Sequence, residues 1–304
     1  MGGLTLLEKI GRDLDRNIYP VVYDSGIVEP GQSCCLEEEP GEKGSFYESE
    51  RTRRSPAGSR KWTAGGARSS GGSPAIESGP ASKATSFFSE QKLSDATAVD
   101  LEGVIGAYPG VEFRFTPALV WLINSVKPIR GLNEAALIIT AYPHDVSLMV
   151  KSWAWWGPSL VWIGPRHTNY PDGSICSFEP RDAGAWQRGQ PLRDLVDIHT
   201  LWIVRHLFLR HFGHWPGSQV FHTAYERLKE HRPGEICGGC RSGLPYDGCC
   251  RSRDERYDPV ERVISFMSQF GTRDRNPPQA ISEYVYGIRK DPPSLNDIRS
   301  DPTV

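Results

Sequence analysis

The 304-residue chain lacks several features that would each name a class of function. No apolar run approaches the roughly 18 residues needed to cross a bilayer. The formal net charge is −2, so no overall basic field points to nucleic acid. Charges interrupt the apolar positions of "MGGLTLLEKIGRDLDRN", which is therefore not a secretory signal. The one glycine-rich run, "GGARSSGG", has no strand before it and no helix after it, so it is not a phosphate loop. These gaps imply a cytosolic protein with reduced thiols that handles no nucleotide, spans no membrane and binds no nucleic acid.

Cysteine is sparse but unevenly placed. Cys34 and Cys35 are adjacent and Cys176 stands alone. Cys237, Cys240, Cys249 and Cys250 fall within fourteen residues. An odd total of seven with this clustering suits one reactive thiol and one metal site better than a disulfide framework.

Residues 1–86 read as a largely disordered N-terminal segment that begins with a short amphipathic helix. Leu4, Leu7, Ile10, Leu14 and Ile18 recur at helical spacing. From about Glu29 to about Thr85 the chain is rich in Gly, Ser, Pro and Arg. So few large apolar residues cannot offset the entropy of ordering.

Residues 87–232 read as the main domain. "VEFRFT" alternates like a half-buried strand, and "ALVWLINSV" and "AALIITAYP" are short apolar runs consistent with buried strands. After Trp186 the period lengthens. Leu192, Leu195, Val196, His199, Trp202, Ile203, His206 and Leu207 describe a long amphipathic helix, with Arg193, Asp194, Asp197 and Arg205 towards water. His199 and His206 on its apolar face are core histidines, and Trp215-Pro216 anchors the following loop. Residues 253–304 form a C-terminal helix and tail. Asp258, Pro259 and Glu261 start that helix, Val260, Val263, Ile264 and Met267 stripe it, and Gly271 ends it. Strands, a cysteine loop, then helices make an α+β pattern.

In "RHTNYPDGSICSFEPRDAGAW", Asp172-Gly173 supplies a turn just ahead of Cys176. A thiol is a nucleophile where it is accessible and its thiolate is favoured. Acyl transfer also needs a donor for the developing oxyanion, and Asn169 carries an amide. His167 could act as a base or hold the loop. On composition alone Cys176 is one more small apolar residue.

Spacing changes that weighing. His167-Thr168-Asn169, Gly173-Ser174-Ile175-Cys176 and Trp186 resemble the active-site signature of ubiquitin-conjugating enzymes, an HPN tripeptide followed by Gly-x-Ile-Cys and a Trp. "WWGPSLVWIGPRH" is similar to the strand leading into that tripeptide, and the helix from Leu192 to the helix after the active site. The resemblance covers roughly Phe113 to Arg227, about a third of the chain. Thr168 stands where Pro is usual, the tripeptide-to-cysteine gap is one residue shorter, and the cysteine-to-Trp gap is longer. These departures assign the chain to the divergent bacterial branch.

The resemblance implies a UBC-like antiparallel sheet with flanking helices. It implies that Cys176 takes a ubiquitin-like protein from an activating enzyme as a thioester and passes it to an amine. Asn169 would steady the oxyanion, and His167 would order the loop. Asp172 or Asp182 could lower the pKa of the amine, although a solvated loop position is the simpler reading of both. Bacterial relatives suggest antiphage defence. The fold also admits a non-catalytic binder of ubiquitin-like proteins, and Cys176 with a histidine admits a cysteine hydrolase.

Residues 233–252 carry CxxC, eight residues, then CC. Four thiolates at this spacing match tetrahedral zinc, and glycines with Pro245 let so short a loop wrap the ion. The segment looks like the SEC-C zinc motif, with Cys237, Cys240, Cys249 and Cys250 as ligands and His231 as a weak substitute. Its first cysteine gap is one residue longer than usual, and Arg241 stands where Gly is usual. Four thiolates leave no open position for water, so the zinc would be structural.

Overall fold

A computed structural model describes residues 2–31, 95–177, 185–217, 219, 221–232, 234–240, 242–271 and 274–304, with side chains from 101 onward in the second stretch. The chain is mixed helix and sheet around one five-stranded antiparallel meander. The strands are β3 (Glu112–Phe115), β4 (Leu119–Val126), β5 (Ala135–Pro143), β6 (Lys151–Gly157) and β7 (Val161–Trp162), each paired with its sequence neighbours.

Both faces of this sheet are covered, which explains the unbroken apolar runs of β4 and β5. Val120, Leu122, Ala136, Ile138 and Ala154 point to one face, where they join residues of three helices in the main core. The helices are α1 (Gly3–Asp15), α2 (Asp95–Ala107) and α3 (Leu192–Phe212). Leu119, Trp121, Ile139, Trp153 and Trp155 point to the other face. Two short C-terminal helices, α7 (Gln279–Val285) and α8 (Leu295–Arg299), cover it with Ile281 and Ile298. Each large side chain removed from water in this way contributes roughly 1.5–3 kcal/mol.

The short amphipathic helix expected at the start of residues 1–86 is present as α1, and residues 2–31 pack against the rest of the fold. Leu7, Ile10 and Leu14 of α1 are buried, and a side chain at Gly11 would run into the Phe208 ring on α3. A small hairpin, β1 (Val21–Val22) and β2 (Val28–Glu29), follows and is tied to the main sheet region by the Val28 N–H on the Pro128 carbonyl at 2.7 Å. The stretch from residue 32 to 94 lies outside the described residues. The C-terminal tail is likewise structural, because it seals one face of the sheet.

Helix α3 forms as its spacing predicts and stops at Gly213, whose φ of 82° suits glycine. Asp197 is only partly open to water: it accepts a short hydrogen bond from the hydroxyl of Tyr108, the residue that follows α2. Burial leads in raising its pKa to about 6. After α3 come α4 (Ala224–Glu230), opened by a capping box between Thr223 and Glu226, and α5 (Arg251–Arg256). Helix α6 (Pro259–Phe270) is capped by Asp258 and ended by Gly271, as expected. Its buried residue is Phe266, while Val260, Ile264 and Met267 face solvent. Among the described residues no helix is long and apolar enough to cross a membrane.

Candidate functional site

Cys176 lies on a tight loop between β7 and α3. The loop doubles back, so that Thr168 bridges Ile175 in antiparallel fashion. The Cys176 N–H donates to the His167 carbonyl at 3.0 Å, and the Asn169 N–H donates to the Ser174 carbonyl at 2.7 Å. Gly173 makes the reversal with φ of 62°. A Cβ there would sit 2.8 Å from the Trp162 ring, so conformation and space both require glycine.

The loop brings the tripeptide and the thiol together. The Asn169 side-chain amide donates to the Ile175 carbonyl at 3.1 Å and to the Ser174 hydroxyl at 3.2 Å. Asn169 is exposed and Cys176 is half-buried. The amide thus reaches the peptide group that joins Ile175 to Cys176.

His167 has a different environment. Its φ is 49°, and its ring packs at a tilt against Trp215 with centroids 4.2 Å apart and lies 5.7 Å from Phe221. Part of its surface meets solvent, yet this packing, followed by the charge of Arg166, holds its pKa well below the usual histidine range. The ring is therefore neutral at physiological pH. Its carbonyl accepts both the Cys176 N–H and the Trp202 indole N–H, the latter at 2.9 Å. Asp172 is not a solvated loop carboxylate. It is buried, accepts the Ser174 N–H at 3.1 Å and pairs with Lys151 on β6, so it builds the turn. Asp182 lies outside the described residues. Trp186 packs into the main core and donates to the Pro191 carbonyl at 3.0 Å, joining the end of the loop to the start of α3.

The second feature is the four-cysteine cluster. Its backbone is a small hairpin, with the Cys237 N–H on the Leu244 carbonyl at 2.8 Å and the Tyr246 N–H on the Glu235 carbonyl at 2.7 Å. The Sγ atoms of Cys237, Cys240, Cys249 and Cys250 all lie within 4.8 Å of one another. Cys237–Cys240 at 3.9 Å and Cys249–Cys250 at 3.8 Å are close to the separation of about 3.8 Å that Zn–S bonds of about 2.3 Å would impose on a tetrahedron. Cys240–Cys249 is tighter, at 2.9 Å. Hydrogen bonding from Cys249, then Ser242, lowers the Cys240 pKa to about 6, so one thiolate is already favoured at neutral pH. The four cysteines thus form a cluster at metal-binding distance.

His231 is not a fifth candidate. The Gly238 N–H donates to its Nε2 at 3.0 Å, and its Nδ1 bonds the Glu235 carboxylate at 3.0 Å, so both nitrogens are committed. Its ring stacks on Tyr246 at 4.8 Å. The cluster is further anchored by a buried bidentate pair, Arg227 on Asp254 at 2.6 and 2.8 Å, with the Tyr246 hydroxyl on the same carboxylate at 3.0 Å.

Several residues of the site have no signature in the local sequence. Arg166 and Gln219 connect the thiol loop to the cluster. Arg275 donates to the Pro165 carbonyl at 2.8 Å and pairs with Glu226 at 2.7 Å and Glu230 at 2.6 Å. Its guanidinium lies 3.4 Å over the Tyr170 ring. Comparison with protein-family models, curated proteins and solved structures finds no match.

Proposed function

We propose that the chain is a ubiquitin-conjugating-like transferase that carries a ubiquitin-like protein as a thioester on Cys176. The observation that carries this reading is the loop geometry. The Asn169 amide lies against the Ile175–Cys176 peptide, the neighbourhood in which an acyl group on the Cys176 sulfur would form its oxyanion. The order of helix α2, antiparallel meander, thiol loop and helix α3 also agrees with a UBC-like arrangement.

In the first step the Cys176 thiolate attacks the thioester carbonyl carbon presented by an activating enzyme. The tetrahedral oxyanion collapses and expels that enzyme's thiolate. In the second step an amine attacks the Cys176 thioester, loses a proton to solvent and expels the Cys176 thiolate. Asn169 is the oxyanion donor: turning its amide away from Ile175 would free an N–H for it. His167 orders the loop through its carbonyl and its ring packed against Trp215. An imidazole whose protonated form is disfavoured by packing against Trp215 and by the Arg166 charge is poorly placed to shuttle protons, which disfavours a cysteine hydrolase. Cys237, Cys240, Cys249 and Cys250 would hold zinc as a closed structural site. The setting is the cytoplasm, where thiols stay reduced.

The test supplies a ubiquitin-like protein as its C-terminal thioester, on an activating enzyme with ATP or on a small thiol. Wild type should form an adduct that a reducing thiol reverses. Cys176→Ser should form an adduct that the thiol does not reverse, and Cys176→Ala none. An equal adduct on Cys176→Ala, or none on wild type, removes the reading. Unchanged binding of the ubiquitin-like protein with no adduct would leave a non-catalytic binder.

A further inference from the structure

The thiol loop and the four-cysteine cluster are joined by two side-chain bridges that meet at Arg166, the residue before His167. The first bridge begins within the Cys237-Gly238-Gly239-Cys240 turn. The Gly238 N–H donates to His231 Nε2, which leaves the proton on Nδ1 to be donated to Glu235 Oε2. That same oxygen accepts from Arg166 at 3.0 Å. The second bridge is Gln219. Its amide donates to the carbonyl of Ile236, the residue before Cys237, at 3.1 Å. Its oxygen accepts from Arg166 at 2.5 Å and lies 3.4 Å from His167 Nε2.

Packing follows the same lines. Phe221 lies 5.0 Å from the Arg166 guanidinium and 4.6 Å from the His231 ring. It fills the space beside Gly238 so closely that a Cβ there would come within 2.7 Å. Arg166, His231 and Glu235 are all buried. On the far side, the Arg166 carbonyl accepts from His206 on α3 at 3.1 Å. Arg166 is thus held at its backbone by the core and at its side chain by Glu235, Gln219 and the Glu230 carbonyl at the end of α4.

A turn with two adjacent glycines has much conformational freedom to lose, and a metal held by the four thiolates would keep so short a hairpin closed. If the turn opens, the Gly238 N–H and the Ile236 carbonyl leave their partners. Arg166 then loses a buried carboxylate and a buried amide oxygen together. Leaving a buried guanidinium with only the Glu230 carbonyl is costly, so the Arg166–Asn169 segment would rearrange with it.

We propose that Gln219 and the Arg166–Glu235 pair are positioning residues that make the conformation of the Cys176 loop depend on metal occupancy of the four-cysteine turn. This rests on the reading of Cys176 as the reactive thiol and of the cluster as a metal site. The metal never touches Cys176. It acts by holding the backbone from which Arg166 is held.

The experiment uses the full chain loaded with Zn2+, or stripped by chelator without oxygen. Two readouts are followed: the rate at which limiting N-ethylmaleimide modifies Cys176, resolved by peptide mass, and amide exchange over residues 166–176. Stripping should speed both about tenfold, within the usual range of coupling between sites, while β4 and β5 stay protected. Loaded Gln219→Ala should show a similar acceleration with its metal retained, and stripping it further should add less than in wild type. Glu235→Gln, which keeps the volume and drops the charge, is the second variant and should act in the same direction. Rates and exchange that agree within about twofold in loaded wild type, stripped wild type and the loaded variants overturn the proposal. So does stripping that also releases β4 and β5, because the cluster would then support the whole fold rather than this loop. The thioester assay separates the two readings. A tenfold effect without thioester formation removes the transferase and keeps the link, and a thioester without the effect does the reverse.

Discussion

At the residue scale the glycines of the cluster have a role beyond wrapping an ion. Gly239 faces Arg227: an added Cβ would sit 2.5 Å from the Arg227 Cδ and 2.7 Å from its Nε. Arg227 has little room to yield, because it is held bidentate by Asp254, which is 0% exposed. Gly239→Ala should therefore cost about 1–3 kcal/mol, the usual cost of overpacking. It would be read as a lower urea midpoint and as faster metal loss to a chromophoric chelator. Gly248 is the control, since it lies beside Cys249 yet a Cβ there would meet nothing within 4 Å. Gly248→Ala should stay within about 0.5 kcal/mol of wild type. Equal effects at the two positions would show that chain flexibility, not the Arg227 contact, sets the requirement.

At the scale of elements, what was legible in sequence follows from what is local. Helix α3 carries 21 residues of apolar period and ends on a glycine, and both signals lie within its own segment. The thiol loop was legible because its turn glycine, tripeptide and cysteine are neighbours in sequence. The C-terminal cover was not. Helices α7 and α8 have 7 and 5 residues, too short for a period to emerge, and they offer Ile281 and Ile298 to a sheet far away in sequence. The two-faced burial of β4 and β5 hid the same fact, since continuous apolar strands do not say what covers each side. Arg275 and Gln219 escaped for a related reason: a polar residue that satisfies a distant carbonyl looks like any other loop residue. The cover can be tested directly. Ile281 is 0% exposed against Trp121, Trp153 and Trp155, so Ile281→Ala should cost about 2–5 kcal/mol and shift tryptophan emission to the red. Ile288, 74% exposed, should tolerate alanine within about 0.5 kcal/mol. A neutral Ile281→Ala would mean that α7 contributes little to the closure of that face.

At the scale of the whole molecule, buried titratable groups of opposite tendency set the pH response. His199 and His206 are held at about 3, in each case chiefly by burial, and His167 is also lowered. A histidine whose folded pKa is depressed is neutral in both states above about pH 6.5 and costs nothing there. As pH falls below that value the unfolded chain takes up the proton and the folded chain does not, so stability is lost. Glu230 works the other way. Burial raises its pKa to about 7 despite the attraction of Arg275, because Glu226 shares that guanidinium and adds repulsion. Its folded form prefers the proton. The penalty for ionising it is absent below about pH 4.5, grows as pH rises to about 7 and is constant above. Between these limits Glu230 offsets part of the histidine loss. Glu230→Gln removes both the penalty and the offset. Relative to wild type it should gain on the order of 2–3 kcal/mol at pH 8, and that advantage should fall below about 1 kcal/mol by pH 5. Urea midpoints of the two proteins at pH 8 and pH 5 measure the difference. A gap that stays the same at both values would mean that Glu230 is ionised in the folded protein throughout, with Arg275 outweighing burial.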